Sequence, residues 1–176
     1  LITRAITIRP DFAAAHCNLG LALNALGKSE DAVASYRKAL SLNPDYAEAH
    51  YNLGITRQGS RKLEEAIVNY QKSLDINPNQ PQALYNKGNA LYDHGDFKEA
   101  EACYRGAIAL NPDYAQPHNN LGSTLNRLNH PEEALSSYRR AITLQPDYPE
   151  AHCNLGYALH ELGHLEEAYT SFQQSI

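Results

Sequence analysis

The chain has 176 residues, a formal net charge of -5 and a sequence pI of about 5.9. This acidic balance argues against a nucleic-acid-binding protein, which usually carries a basic stripe. No apolar run approaches the roughly 18 residues of a membrane span, and no signal-peptide pattern is present, so no membrane partner is expected either. The sequence contains no Met, and we therefore expect it to be part of a longer protein.

A six-residue stretch recurs along the chain at a fixed step of 34 residues. A-H-Y-N-L-G at 49–54 has near-copies at 15–20, 83–88, 117–122 and 151–156, with no insertion between them. A period of roughly 20–50 residues is typical of proteins built from stacked repeats. The sequence therefore predicts a solenoid, whose core lies between neighbouring repeats.

Small, aromatic and proline residues recur at the same step. The columns are Gly20, Gly54, Gly88, Gly122 and Gly156; Ala32, Ala66, Ala100, Ala134 and Ala168; Tyr36, Tyr70, Tyr104, Tyr138 and Phe172; and Pro10, Pro44, Pro78, Pro112 and Pro146. Small residues at facing positions allow two antiparallel helices to approach closely. We expect the aromatic column to fill the space between one hairpin and the next, and proline to end each repeat.

Each repeat is predicted to be helix A, a tight turn and helix B. Helix A is expected near 13–26, 47–60, 81–94, 115–128 and 149–162, and helix B near 30–43, 64–77, 98–111, 131–145 and 166–176. The five repeats are then 13–46, 47–80, 81–114, 115–148 and a truncated 149–176, after residues 1–12 as the tail of a preceding helix B.

The helix ends have recognisable signals. Asp45, Asp113 and Asp147 are predicted to cap the next helix, with Glu48, Gln116 and Glu150 three residues further on completing a capping box. Gly27, Gly95 and Gly163 end helix A of their repeats, and Asn129 replaces Gly in the fourth.

The second and third repeats depart from these columns. Arg57 stands where the other repeats have Leu, Arg61 where Gly or Asn is expected, and Lys87 where a packing Leu is expected. Because Gly59 comes two residues early, helix A of the second repeat is predicted to end short. The favoured interpretation is that the long side chains extend past small neighbours into solvent. The alternative is a local basic spot that selects an acidic ligand group.

The three cysteines favour a reducing compartment. Cys17, Cys103 and Cys153 form an odd set without C-x-x-C spacing. Cys17 and Cys153 lie four repeats apart, at roughly 10 Å per packed layer, whereas a disulfide needs Cα atoms within about 7 Å. We therefore predict a cytoplasmic protein.

The columns resemble the tetratricopeptide repeat, a 34-residue helix-turn-helix unit, over the whole chain. The A-H-x-N-L-G stretch with N-P-D-Y between units is most similar in style to the repeat array of O-linked N-acetylglucosamine transferases and related bacterial proteins. The resemblance implies an all-α, right-handed superhelical solenoid of antiparallel helix pairs. It also implies that the A helices line a concave groove that binds extended peptides.

An unbroken asparagine column is the strongest functional signal: Asn18, Asn52, Asn86, Asn120 and Asn154. Asn is unfavourable inside a helix by roughly half a kcal/mol against Ala, so helix stability does not explain it. Its amide can pair with both the N–H and the C=O of a peptide backbone. A step of roughly 10 Å between helices matches about three extended residues. The alternative is that the Asn was merely copied with the repeats; the family resemblance favours binding.

Other helix A residues are expected to share this face. They are Tyr51, Tyr85 and Asn119 one residue before the column, and Asn89, Ser123, Tyr157, Tyr92, Asn126 and His160 after it. Related repeats that clamp a C-terminal carboxylate use Lys and Arg here. The corresponding positions in this sequence hold Cys, Tyr, Asn, Glu and Gln, so no such clamp is predicted.

The histidines do not predict a metal site. His16, His50, His118 and His152 lie one repeat or more apart, too far to share one metal ion, and are expected to pack at the contact between helices A and B. H-E-L-G-H at 160–164 matches a zinc-protease pattern, but Gly163 should place His164 in a turn. No catalytic residues, metal or cofactor are predicted.

The sequence therefore predicts a non-enzymatic module that binds an extended segment of another protein. One alternative is the substrate-selecting arm of a larger enzyme, such as a glycosyltransferase of the O-linked N-acetylglucosamine type. Another is a self-associating scaffold. Apolar residues at the two ends, Leu1, Ile2, Ile6, Phe172 and Ile176, predict end-to-end association.

Overall fold

The computed structural model describes residues 9–175, which form ten α-helices and no β-strand. In chain order they are α1 (Ala13–Ala25), α2 (Ser29–Leu42), α3 (Ala47–Gly59), α4 (Leu63–Ile76), α5 (Pro81–His94), α6 (Phe97–Leu110), α7 (Ala115–Arg127), α8 (Pro131–Leu144), α9 (Pro149–Glu161) and α10 (Leu165–Gln173). The first nine begin and end within two residues of the prediction. The tenth ends earlier than predicted, at Gln173.

The chain divides into two compact units, Leu1–Ala90 and Leu91–Ile176, and the boundary falls inside α5. In the first unit, α1 packs on α2 and α3 on α4, and α2 also contacts α3. In the second unit, α7 packs on α8 and α9 on α10, while α6 contacts α7 and α8 contacts α9. Of the B helices, α2 and α8 therefore pack on both their own helix A and the next one.

The aromatic column packs against the next repeat, as predicted, and also inside its own repeat. An added Cβ at Gly122 would lie 2.6 Å from the Tyr138 ring, and one at Gly54 would lie 2.8 Å from Tyr70. The ring thus occupies the space that a side chain on helix A would need. Tyr36 also reaches Ala49 and Leu53 of the next repeat in one buried cluster.

The turns after helix A share one left-handed residue. Gly27, Gly95, Gly163 and Asn129 have φ of 74°, 100°, 81° and 64°. Arg61 takes the same position with φ of 60°. The prediction that helix A of the second repeat ends short is therefore wrong: α3 has 13 residues, like α1 and α7.

The predicted aspartate caps are also wrong. The residues that precede α3, α7 and α9 are Tyr46, Tyr114 and Tyr148, and none of them makes a side-chain cap hydrogen bond. The Pro-Asp pairs lie one residue further back, in the turn, so the aspartates are out of register for capping.

Buried histidines fix the turns between repeats. Nε2 of His16, His50, His118 and His152 lies 2.9–3.1 Å from the carbonyl oxygen of the proline six residues earlier. Since a carbonyl only accepts, Nε2 carries the proton. Leu84 cannot do this in the third repeat. There, Gln80 Nε2 donates to the Ser73 and Asn77 carbonyls instead, at 3.0 and 2.6 Å.

Arg57 does not extend into solvent as the favoured interpretation held. It is 3% exposed, and its guanidinium pairs with Glu30 of α2 at 3.1 Å and Glu65 of α4 at 3.0 Å. Lys62, with Arg57, holds the pKa of Glu30 below its usual value. Lys87 is half-buried and donates to Gln71 of α4. The side chains of both Arg57 and Lys87 thus bind partners within the first unit.

Some predictions about the two chain ends concern residues outside the described range. These residues are 1–8, which include Leu1, Ile2 and Ile6, and Ile176. Phe172 is half-buried, with its ring edge-on to Tyr157 at 5.1 Å between centroids. Across residues 9–175, none of the helices combines the length and apolar character needed to cross a bilayer.

Candidate functional site

The A helices, α1, α3, α5, α7 and α9, carry all the predicted binding residues. We call the side of these helices that bears the asparagine column the A-helix face, and describe it for each unit separately. The structure shows how the asparagine amides are held.

In the first unit, asparagine amides link neighbouring A helices. Asn86 Nδ2 donates to the Tyr51 hydroxyl at 3.0 Å, and Asn52 Nδ2 lies 3.9 Å from Cys17 Sγ. Each acceptor lies 35 residues before its donor, directly before the asparagine of the preceding repeat. The Asn18 side chain is exposed and makes no hydrogen bond within residues 9–175.

In the second unit, three amides form a chain. Asn154 Nδ2 donates to Asn119 Oδ1 at 3.0 Å, again 35 residues back, and Asn119 Nδ2 donates to Asn120 Oδ1 at 3.1 Å. Asn119 is 5% exposed, while Asn120 and Asn154 are half-buried. The bonds fix the orientation of these amides before any ligand arrives.

The asparagine column therefore has a structural role that the sequence argument did not include. An amide nitrogen carries two protons and its carbonyl oxygen accepts. One proton of Asn86 and one of Asn154 are used between helices. Their Oδ1 atoms accept no hydrogen bond from the described part of the chain, and a second N–H also remains. Each amide thus keeps one donor and one acceptor for a ligand.

Hydroxyl groups of buried tyrosines on the B helices form hydrogen bonds with polar residues of the A helices. Tyr138 donates to Ser123 Oγ at 3.3 Å and accepts from Asn126 Nδ2 at 3.4 Å. In the first unit Tyr70 donates to Gln58 Oε1 at 2.8 Å. Burial raises the pKa of Tyr138 to about 12 and also raises that of Tyr51. These phenols therefore stay protonated and neutral near pH 7.

The other predicted residues are not all joined to the amides. Tyr85 and Asn89 are half-buried. The Tyr92 ring lies edge-on to Phe97 at 5.3 Å between centroids, and Tyr157 is 62% exposed. The structure thus brings together Tyr51 with Asn86, the three amides of the second unit, and Ser123 with Asn126.

Sequence reasoning missed Arg127, which also lies on this face. It is the last residue of α7, and its guanidinium carbon is 4.8 Å from the centroid of the Phe97 ring. The available signal was its spacing: Arg127 follows Asn120 by seven residues, nearly two helical turns.

The described residues contain no group of three or more His, Cys, Asp or Glu side chains placed to hold a metal ion. The predicted position of His164 is confirmed: α9 ends at Glu161, and His164 directly precedes α10. His164 Nδ1 instead lies 3.5 Å from Glu167.

The comparisons agree with this architecture. The family model described as TPR repeat matches residues 20–59, 62–95, 88–129 and 125–163. No curated protein sequence matches the chain. The fold is similar to the crystal structure of MamA, with a TM-score of 0.85 and 25% identity, covering 89% of this chain and 91% of that one.

Two further solved structures are similar. PilF of Pseudomonas aeruginosa has a TM-score of 0.80 and 25% identity, over 96% of this chain and 78% of that one. YrrB, described as a TPR protein with an unusual peptide-binding site, has a TM-score of 0.86 and 24% identity, over 99% and 90%. Repeats of this kind generally mediate protein–protein interaction, and the chain belongs to the tetratricopeptide (TPR) repeat family.

Proposed function

We propose that the protein binds an extended segment of another protein on its A-helix face, through the backbone of that segment. The observation that carries the proposal is the pair of pre-oriented amides, Asn86 on Tyr51 and Asn154 on Asn119, each with an N–H and a carbonyl oxygen left over. A donor and an acceptor side by side match one peptide unit, whatever its side chain.

Fixing the amides in advance favours binding because their side-chain entropy is already lost. Ordering a rotamer-rich side chain at an interface costs about 0.5–1.5 kcal/mol. The hydrogen bonds to the neighbouring helix remove most of that cost for Asn86 and Asn154. Half-burial also shields them from competing water.

The module is proposed to be non-catalytic, and to act alone or as the substrate-selecting arm of a larger enzyme. Its ligand is a protein segment rather than a nucleic acid or a membrane. A cytoplasmic setting fits the chemistry of Cys17, Cys103 and Cys153, which are all free thiols.

Selection from a random 12-residue peptide library displayed on phage tests the proposal. Peptides selected on the wild-type protein should bind an Asn86→Ala, Asn154→Ala variant about tenfold more weakly, since net hydrogen bonds contribute about 0.5–1.5 kcal/mol each. Asn111→Ala is the matched control, because Asn111 is exposed and lies in the turn after α6. Circular dichroism checks that the helices are intact.

Backbone recognition has a separate test with one selected peptide. Methylation of its backbone nitrogens, at every third residue, should weaken binding more than alanine substitution at the same positions. A failure of the library to give any binding peptide contradicts the proposal. Equal binding by the double asparagine variant would show that the A-helix amides are not the site.

A further inference from the structure

The second unit carries a row of unpaired charges of alternating sign on its A helices. Asp93 of α5, Arg127 of α7 and Glu161 of α9 occupy the same repeat position, 34 residues apart, and all three are exposed. None of the three makes an ion pair with another residue in 9–175. We call these residues the charge row.

The row lies on the A-helix face beside the asparagines. Arg127 follows Asn120, and Glu161 follows Asn154, by seven residues. Seven residues turn an α-helix to within about 20° of two full turns and advance it by about 10.5 Å. A segment held by the amides therefore has the charge row alongside it.

Arg127 is held in place, which distinguishes it from an ordinary surface charge. Its guanidinium lies over the Phe97 ring at 4.8 Å, and Phe97 is itself packed edge-on by Tyr92. A guanidinium on an aromatic face keeps its in-plane N–H donors free, and these match a carboxylate in a bidentate pair.

The B helices of the same unit show the opposite arrangement. Arg105 pairs with Glu133 at 3.2 Å and Arg139 with Glu167 at 2.9 Å, each one repeat on. Arg105 and Arg139 are thus paired within the protein. The charges of the charge row are left for something outside it.

We propose that the charge row selects a ligand segment in which an acidic residue is flanked on both sides by basic residues, each about three positions away. A repeat step of roughly 10 Å corresponds to about three residues of extended chain. The acidic side chain pairs with Arg127, and the basic ones lie opposite Asp93 and Glu161. This inference rests on the proposed function, because it names the kind of segment that the face binds.

The phage-displayed library separates the two proposals. The displayed peptides are joined to the coat protein by their C-termini, so only side-chain carboxylates are selected. Peptides selected on the wild-type protein are expected to show Lys or Arg, two variable residues, Asp or Glu, two variable residues, then Lys or Arg. Their affinity should fall about tenfold on Arg127→Gln, and less on Arg127→Lys, which keeps the charge but loses the planar donor pair.

Charge reversal gives a readout that a structural role could not produce. A fresh selection on Arg127→Glu should favour a basic residue at the centre of the motif. Arg37→Glu is the control, since Arg37 is exposed on α2 and makes no ion pair within the described residues. Selected peptides without the charge pattern, or equally bound by Arg127→Gln, overturn this inference and leave the proposed function standing. An empty selection overturns both.

Discussion

The second and fourth repeats have helices of the same length but are stabilised by different polar side-chain contacts. α3 and α7 each have 13 residues, and α4 and α8 each have 14. In both, a tyrosine ring fills the space over a helix A glycine. The repeats differ at positions 57 and 125, at the left-handed residue, and in the partner of the buried tyrosine hydroxyl. The shared columns therefore determine the fold, and the polar contacts belong to individual repeats.

Positions 57 and 125 show the largest difference. Arg57 is buried with two carboxylates in reach, whereas Leu125 is an apolar side chain that is 2% exposed. In the fourth repeat, the counterpart of Glu30 is Lys98, and the counterpart of Glu65 is Glu133, which already pairs with Arg105. A buried positive charge at position 57 is thus stable only because Glu30 and Glu65 lie beside it.

The largest expected effect comes from exchanging these residues. Leu125→Arg should lower the free energy of unfolding by more than about 3 kcal/mol, because it buries a charge without a free carboxylate. Arg57→Leu should change it by less than about 1 kcal/mol, because the side chains of Glu30 and Glu65 are 69% and 48% exposed and stay hydrated, so no buried charge is left without a partner. Urea denaturation followed by circular dichroism measures both. A mild effect of Leu125→Arg would show that the side chain escapes to solvent.

The shared glycine column should respond equally in the two repeats. Gly54→Ala and Gly122→Ala each place a Cβ within 2.8 Å of a tyrosine ring, and overpacking of this kind costs about 1–3 kcal/mol. Gly59→Ala is the control, since no heavy atom lies within 4 Å of its Cβ position. Thermal unfolding compares the three variants, and a neutral Gly122→Ala would contradict the close packing.

The buried tyrosine hydroxyls provide a smaller effect with a pH dependence. Tyr70→Phe and Tyr138→Phe should each cost about 1 kcal/mol at pH 7, more at Tyr70, whose bond to Gln58 is shorter. Burial raises the pKa of Tyr138 from 10.0 to about 12. The folded phenol holds its proton more tightly than the unfolded one, so this stability is complete below pH about 10 and is lost as the pH rises towards 12.

Alkaline titration of the unfolding midpoint checks this sign. Each phenylalanine variant should lose less stability between pH 10 and 12 than the wild type. A parallel decline in all three proteins would show that other groups cause the alkaline loss.

The smallest expected effect concerns the left-handed residue. Arg61 has φ of 60° and Asn129 has 64°, and a left-handed conformation costs an ordinary residue about 1–2 kcal/mol. Arg61→Gly should therefore stabilise the protein by about 0.5–1 kcal/mol, and Asn129→Gly by less, because Asn tolerates this conformation. The midpoint of urea denaturation is the measurement; equal gains would mean that the side chain at this position makes no difference.

The fold was predictable because its determinants repeat. Gly54 opposite Tyr70, and Gly27 at a left-handed turn, are local rules applied at a constant step. The errors came from single positions. Arg57 could be placed only once Glu30 and Glu65, which lie 27 residues before it and eight after, were known to meet it. The aspartate caps failed because the N-cap is the residue directly before the helix, Tyr46 in α3, and Asp45 lies one residue too early.

The candidate site was predictable in outline for the same reason. The asparagine column marked the A helices. The hydrogen bonds of its side-chain amides, however, join residues that lie 35 apart in separate helices, such as Asn154 and Asn119. No local pattern reveals such a pair. Arg127 was missed because its partner, Phe97, belongs to another repeat and to no constant column.

The hydrogen bonds from each asparagine to the preceding repeat also restrict how repeats can be added to such an array. A duplicated or transplanted repeat brings an amide donor, and the repeat before it must offer an acceptor at the residue preceding its own asparagine. Cys17, Tyr51 and Asn119 meet this need by three chemistries. A lysine or leucine there would leave the incoming donor without a partner. Two repeats of this protein can therefore be placed next to each other only when the first supplies an acceptor for the asparagine of the second. Chimaeric arrays should be designed with this donor–acceptor pairing in mind.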